Sequence, residues 1–115
     1  MIDKRYYTRY PLICDALVAL ESGLTFSAEI RDISIEGARL RIYGNPFIKE
    51  GDIIFLNIKC KYKIKLKAQV RWIKNFDKWI EFGVKFLEIS MQDQETLSQL
   101  LSEYALTTIS DVYLK

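Results

Sequence analysis

From Ile64 to Trp72 the chain reads Ile-Lys-Leu-Lys-Ala-Gln-Val-Arg-Trp, a strict alternation of apolar and polar side chains. A period of two places every second side chain on the same face of an extended strand, and it does not fit the 3.6-residue period of an amphipathic helix. The segment predicts a long β-strand with Ile64, Leu66, Ala68, Val70 and Trp72 inward. Lys65, Lys67, Gln69 and Arg71 then point outward.

The same pattern recurs with breaks at turn-forming residues. After Pro11, Leu12 to Leu20 ends at Glu21-Ser22-Gly23 and is followed by Thr25 to Ile33, which predicts a hairpin. Ala38-Arg39-Leu40-Arg41-Ile42 alternates cleanly until Gly44-Asn45-Pro46 stops it, which puts Ala38, Leu40 and Ile42 inward and leaves Arg39 and Arg41 as outward, solvated charges that could extend a basic surface. Beyond the turn at Glu50-Gly51-Asp52, Ile53 to Ile58 is so apolar that a place in the middle of the sheet, covered on both faces, is expected. Asn75 to Lys78 makes a last turn, and Trp79 to Leu87 runs back with Gly83 inside it, at a bulge or a point of close packing. Six antiparallel strands suffice to close a small barrel and remove its exposed edges.

The last quarter changes period. Ser90 and Asp93 are spaced as a helix cap, and Leu97, Leu100, Leu101 and Tyr104 fall on one helical face, which should pack on the barrel or on another subunit. The expected layout is one domain: an N-terminal arm (1–10), an all-β barrel (11–88), a C-terminal α-helix (90–106) and a tail (107–115).

Composition narrows the function. The chain has no histidine, which removes the commonest general base, the commonest metal ligand and every His-dependent triad, so no enzymatic activity, catalytic residue, cofactor or metal is expected. No apolar stretch approaches the ~20 residues that cross a bilayer. The first ten residues carry Asp3, Lys4, Arg5 and Arg9 where a signal peptide would be apolar; a cytoplasmic protein without membrane insertion is expected. Cys14 and Cys60 are distant in sequence and read as buried or spare thiols rather than a disulfide framework. Residues 1–86 hold 16 Lys/Arg against 10 Asp/Glu, a balance of +6, whereas residues 87–115 hold 1 against 5. The basic body should attract an anion.

Two short elements could hold one. Arg5-Tyr6-Tyr7-Thr8-Arg9, preceded by Lys4, sets two guanidinium groups ahead of the first strand. Asp32-Ile33-Ser34-Ile35-Glu36-Gly37 lies between the second and third strands. Singly, the first reads equally as solvated surface and the second as an ordinary turn, since Asp and Ser bond nearby backbone and Gly permits tight geometry.

In this order, Arg-x-x-x-Arg followed by Asp-x-Ser-x-x-Gly resembles the bipartite signature of the PilZ family, whose members bind cyclic di-GMP. Val70-Arg71-Trp72 and Gly83-Val84-Lys85-Phe86 resemble the family's later strands, so the likeness spans roughly residues 4–88. It implies a six-stranded barrel in which a mobile arginine arm closes over nucleotide held at the Asp-Ser-Gly turn. The implied ligand residues are Arg5, Arg9, Asp32, Ser34 and Gly37, with Lys4 at a family position linked to binding one nucleotide or a stacked pair. Tyr6, Tyr7 and Tyr10 are secondary stacking candidates.

The residue types suit that ligand. Arginine's planar fork can bond phosphate oxygens or guanine O6 and N7, and its face stacks on a base. An ionised Asp32 accepts from guanine N1–H and N2–H₂, a donor pair adenine lacks. Ser34 could donate to a phosphate, and Gly37 could leave room for close approach. A downstream protein partner is expected, as in motility or biofilm control, and a homodimer through the helix is conceivable from its apolar face. An interaction module for pilus or flagellar machinery, working through Leu97 and Leu101, is the competing reading. Nucleic-acid binding through the Lys59–Lys67 run ranks lowest, because the signature predicts guanine selectivity and not a purely salt-dependent grip.

Overall fold

Alternating sequences made these strands, and closing them on one another gives each an interior to face. The structure, a computed structural model, describes the backbone of residues 8–113. Its elements are β1 (Cys14–Leu20), β2 (Thr25–Ile33), β3 (Gly37–Tyr43), β4 (Ile53–Lys59), β5 (Lys63–Asn75), β6 (Trp79–Ile89) and α1 (Met91–Tyr113). The strands form a closed antiparallel barrel in the order β1-β2-β3-β6-β5-β4, with β4 returning to β1. No ladder is left open, so the barrel offers no edge for a further strand.

Val18, Ile30, Ile33, Leu40, Ile54, Leu56, Ile58, Ile64, Val70 and Phe82 fill the interior. β4 lies mid-sheet between β1 and β5, but its expected double burial is not found: Ile54, Leu56 and Ile58 are buried while Phe55 is 48% exposed. A barrel has one inside, so even a wholly apolar strand shows alternate residues to the outside.

Three bulges interrupt the ladders. Ile30 pairs with Leu40 and Asp32 with Arg39, leaving Arg31 as an extra residue in β2. Val70 pairs with Val84 and Trp72 with Gly83, leaving Arg71 extra in β5. Leu87 is extra in β6, between the Lys67–Glu88 and Ala68–Phe86 pairs. Each bulge switches the faces of the residues beyond it. In β2 the buried positions are Ala28 and Ile30, then Ile33, so Asp32 turns outward where an unbroken period would bury it. In β5 Trp72 leaves the interior to which unbroken alternation assigned it.

α1 begins where the sequence indicated. The Ser90 hydroxyl accepts from the Asp93 amide (3.1 Å) and donates to Asp93 Oδ2 (2.9 Å). Leu97, Leu100 and Leu101 are buried against the barrel, so the face considered for a second subunit or a partner is occupied internally. The helix does not end at 106 but continues to Tyr113, through residues assigned to a tail. No glycine or proline interrupts 107–113, and nothing in that stretch stops a helix already nucleated.

The cysteines also differ from expectation. Cys14 and Cys60 form a disulfide, with Cα atoms 5.1 Å apart across 46 residues of sequence. The β1–β4 register, Asp15 opposite Lys59, carries their neighbours into alignment, and that pairing is not visible in the local sequence.

Replacing Ser90 by Ala should remove the helix cap at a cost of about 1 kcal/mol. An unfolding free energy lowered by that amount in chemical denaturation, with the strand content retained, is the expected result.

Candidate nucleotide-binding site

The site is built where the N-terminal segment meets the bulged end of β2. Tyr10 and Ile33 exchange both backbone hydrogen bonds (2.9 and 3.0 Å), an isolated antiparallel bridge that ties the last residue of the arm to the barrel. The arm is thus anchored at Tyr10, where a flexible segment was expected. The bridge delivers Arg9 to the outward-facing Asp32, whose Oδ1 accepts from Arg9 Nη1 at 2.8 Å. Arg39, opposite Asp32 on β3, donates from Nε to Oδ2 at 2.9 Å. Both carboxylate oxygens are therefore paired with guanidinium groups.

The charge chain continues along β3 and β6. Arg39 Nη1 reaches Glu81 Oε1 at 3.2 Å, and Arg41, directly opposite Glu81 in the ladder, donates from Nη2 to Oε2 at 2.7 Å. The Arg41 guanidinium lies 5.0 Å from the Trp79 ring centre. Glu81 is only 7% exposed, and a buried carboxylate is tolerated here because two cations compensate its lost hydration. The Arg41 hydrogen bond, with the charges of both arginines, holds its carboxyl below the usual carboxylate range against the opposing effect of burial. Arg39 and Arg41 read as merely outward-facing in the sequence; their role depends on the β3–β6 register.

Ser34 and Gly37 form the turn itself. The Ser34 hydroxyl is buried, donates to the Gly37 carbonyl (3.3 Å) and accepts from the amides of Glu36 and Gly37 (both 3.2 Å). These bonds hold the turn closed. A Cβ on Gly37 would overlap the Val84 carbonyl oxygen, so glycine is required here for the approach of β3 to β6.

Beside the turn lies a groove of about 230 Å³ lined by Arg9, Glu36, Gly37, Arg71, Trp72 and Lys85, with Gly83 and Val84 in its floor. Trp72 rests on Gly83: a Cβ there would run into the indole ring. The β5 bulge turns this tryptophan out, and the glycine gives it a flat seat. Sequence reasoning assigned Trp72 to the core; Gly83 inside a strand was the available signal. Arg9 Nε, at the same groove, is buried without a hydrogen-bond partner among the described residues. Arg5 and Lys4, with Tyr6 and Tyr7, lie outside the described residues. Tyr10 turns its ring to Tyr104 of α1, with an edge-to-face contact at 5.8 Å.

Two guanidinium groups, a carboxylate and an indole thus converge on one side of a rigid barrel. Comparison with known proteins gives this arrangement a family. The PilZ domain family matches residues 3–103, and the chain belongs to it. No curated protein matches the chain. Among solved structures, the Bacillus subtilis inhibitor of motility (MotI/DgrA) is similar, with a TM-score of 0.80 at 22% identity over 92% of this chain and 53% of its own. Escherichia coli YcgR in complex with cyclic di-GMP superposes with a TM-score of 0.79 at 16% identity, over 96% of this chain and 50% of YcgR. The isolated PilZ domain of YcgR with cyclic di-GMP is covered over 98% of its length, with a TM-score of 0.77 at 16% identity. The chain spans about half the length of MotI and of full YcgR. At these identities the superpositions establish the fold. Among the described residues no cluster of His, Cys, Asp or Glu could hold a metal ion, and no helix is long and apolar enough to cross a membrane.

Glu81 has a pH signature. Its folded-state carboxyl titrates below its unfolded value, so its pairing contributes full stability above about pH 5 and loses it as pH falls through the unfolded value near 4.3 and below. Glu81→Gln should cost about 2 kcal/mol at neutral pH. Unfolding free energies of variant and wild type should converge as pH falls below the usual carboxylate range; a gap that stays constant on acidification would assign the loss to packing.

Proposed function

We propose that this PilZ domain is a cyclic di-GMP receptor in which binding itself is the signal, with no chemical turnover. The observation that carries the reading is that Arg9, paired with Asp32, lines a groove together with an outward tryptophan. Arg9 Nε offers a buried donor that has no hydrogen-bond partner among the described residues. The family membership and the nucleotide present in the YcgR structures support it.

In the proposed cycle the Arg9–Asp32 pair opens. Arg9 transfers its fork to a phosphate or to the guanine O6/N7 edge, and Asp32 accepts from guanine N1–H and N2–H₂. Arg39 keeps its hold on Glu81 and balances the carboxylate during the exchange. Trp72 supplies a face for a base to stack on, while Arg71 and Lys85 add positive charge for two phosphates. Ser34 and Gly37 contribute by fixing the turn that positions Asp32. Arg5 and Lys4 are assigned to the ligand from the signature alone; Lys4 favours a stacked nucleotide pair. The bound nucleotide alters the surface around Tyr10 and α1, which a downstream protein partner reads in the cytoplasm.

Calorimetric titration with cyclic di-GMP should give saturable heat for the wild type. Arg9→Ala and Asp32→Ala should each weaken binding about tenfold or more, the range of a lost charged hydrogen bond. Trp72→Ala should weaken it by a comparable factor with the fold intact. Absence of heat from folded protein, or unchanged affinity in both charge variants, would remove the receptor reading.

A further inference from the structure

The disulfide has no role in the proposed nucleotide site, yet it is placed where it can be reached and where it would matter. Cys14 is 7% exposed, whereas Cys60 is partly exposed just beyond β4. Both line a surface groove of about 480 Å³ whose other wall is α1, through Leu100, Glu103 and Tyr104. Lys59 and Lys61 flank Cys60 in the same groove, where Asp15 and the Lys61-paired Glu103 balance their charge, so a reductant is not repelled.

The strand ends joined by this bond also seat the helix. Lys61 Nζ bonds Glu103 Oε2 at 3.1 Å, and the neighbouring Tyr62 hydroxyl donates to Glu103 Oε1 at 2.7 Å. On the other side, Cys14 follows Tyr10 by four residues, and the Tyr10 ring meets Tyr104. The bond therefore clamps two chain segments that grip adjacent residues of one helix. The β1–β4 ladder begins at the very next pair, so the barrel holds its register without the bond.

We propose that Cys14–Cys60 is a thiol–disulfide exchange site for a dithiol reductant, and that its redox state sets how firmly α1 is seated beside the nucleotide arm. A thiolate of the dithiol attacks the more exposed Cys60 sulfur, forming a mixed disulfide and releasing Cys14, which takes up a proton. The second thiol of the reductant, deprotonated, then attacks its own sulfur in the mixed disulfide, releasing Cys60, which is protonated in turn. Two electrons and two protons pass from the dithiol to the protein pair, and the reductant leaves as its disulfide. Only the consequence for nucleotide affinity rests on the receptor reading.

The test uses the full chain, air-oxidised or treated with dithiothreitol, together with a Cys14→Ser/Cys60→Ser variant. Thiol alkylation read by mass should label neither cysteine before reduction and both after it. Amide hydrogen exchange across 97–107 should quicken about tenfold in the reduced chain and in the variant, with β3 and β6 unchanged. Cysteines already labelled in the oxidised sample, or helix exchange indifferent to reduction, would overturn the proposal. Titrating cyclic di-GMP into oxidised and reduced samples separates the two readings. Weaker binding after reduction supports the link, and heat in neither state defeats the receptor reading while the exchange comparison still decides this one.

Discussion

One carboxylate organises the functional end of this barrel. Asp32 accepts Arg9 on one oxygen and Arg39 on the other, so a segment from before the first strand and a residue from the third meet on a side chain of the second. Neither contact could form if β2 kept an unbroken period. The extra residue at Arg31 turns Asp32 from the interior to the surface, and the Tyr10–Ile33 bridge brings Arg9 within reach. A single bulge thus converts a core position into a surface position.

The rest of the polar structure follows from that placement. Arg39 is shared between Asp32 and Glu81, and Arg41 completes the charge on Glu81 while lying near the Trp79 ring. Such a chain of alternating charges holds each member in one orientation. The turn at Ser34 and Gly37 is held by the Ser34 hydroxyl, and Gly83 gives Trp72 a flat seat in the groove that Arg9 also lines.

Most of the barrel was legible because its strands are half-buried and alternate, as Ile64 to Val70 do most plainly. The cap at Ser90 was legible because it is local. What escaped was set by pairing between distant segments. Trp72 read as core because the Arg71 bulge cannot be seen in a period count. Arg39 and Arg41 read as solvated because Glu81 lies opposite them only through the β3–β6 register. Cys14 and Cys60 read as unpaired because β1 and β4 are brought together by barrel closure. The signature residues were recognisable as a set, but only geometry shows that Arg9 pairs with Asp32 and lines the groove together with Gly37, while the Ser34 hydroxyl is spent on the turn.

The most direct measurement is a crystal structure of the chain with cyclic di-GMP. The account predicts a guanine edge on Asp32, a base against Trp72, and Arg9 moved from the carboxylate to the nucleotide, with Arg39 still on Glu81. Nucleotide seated elsewhere on the barrel, with Arg9 and Asp32 still paired to each other, would contradict it.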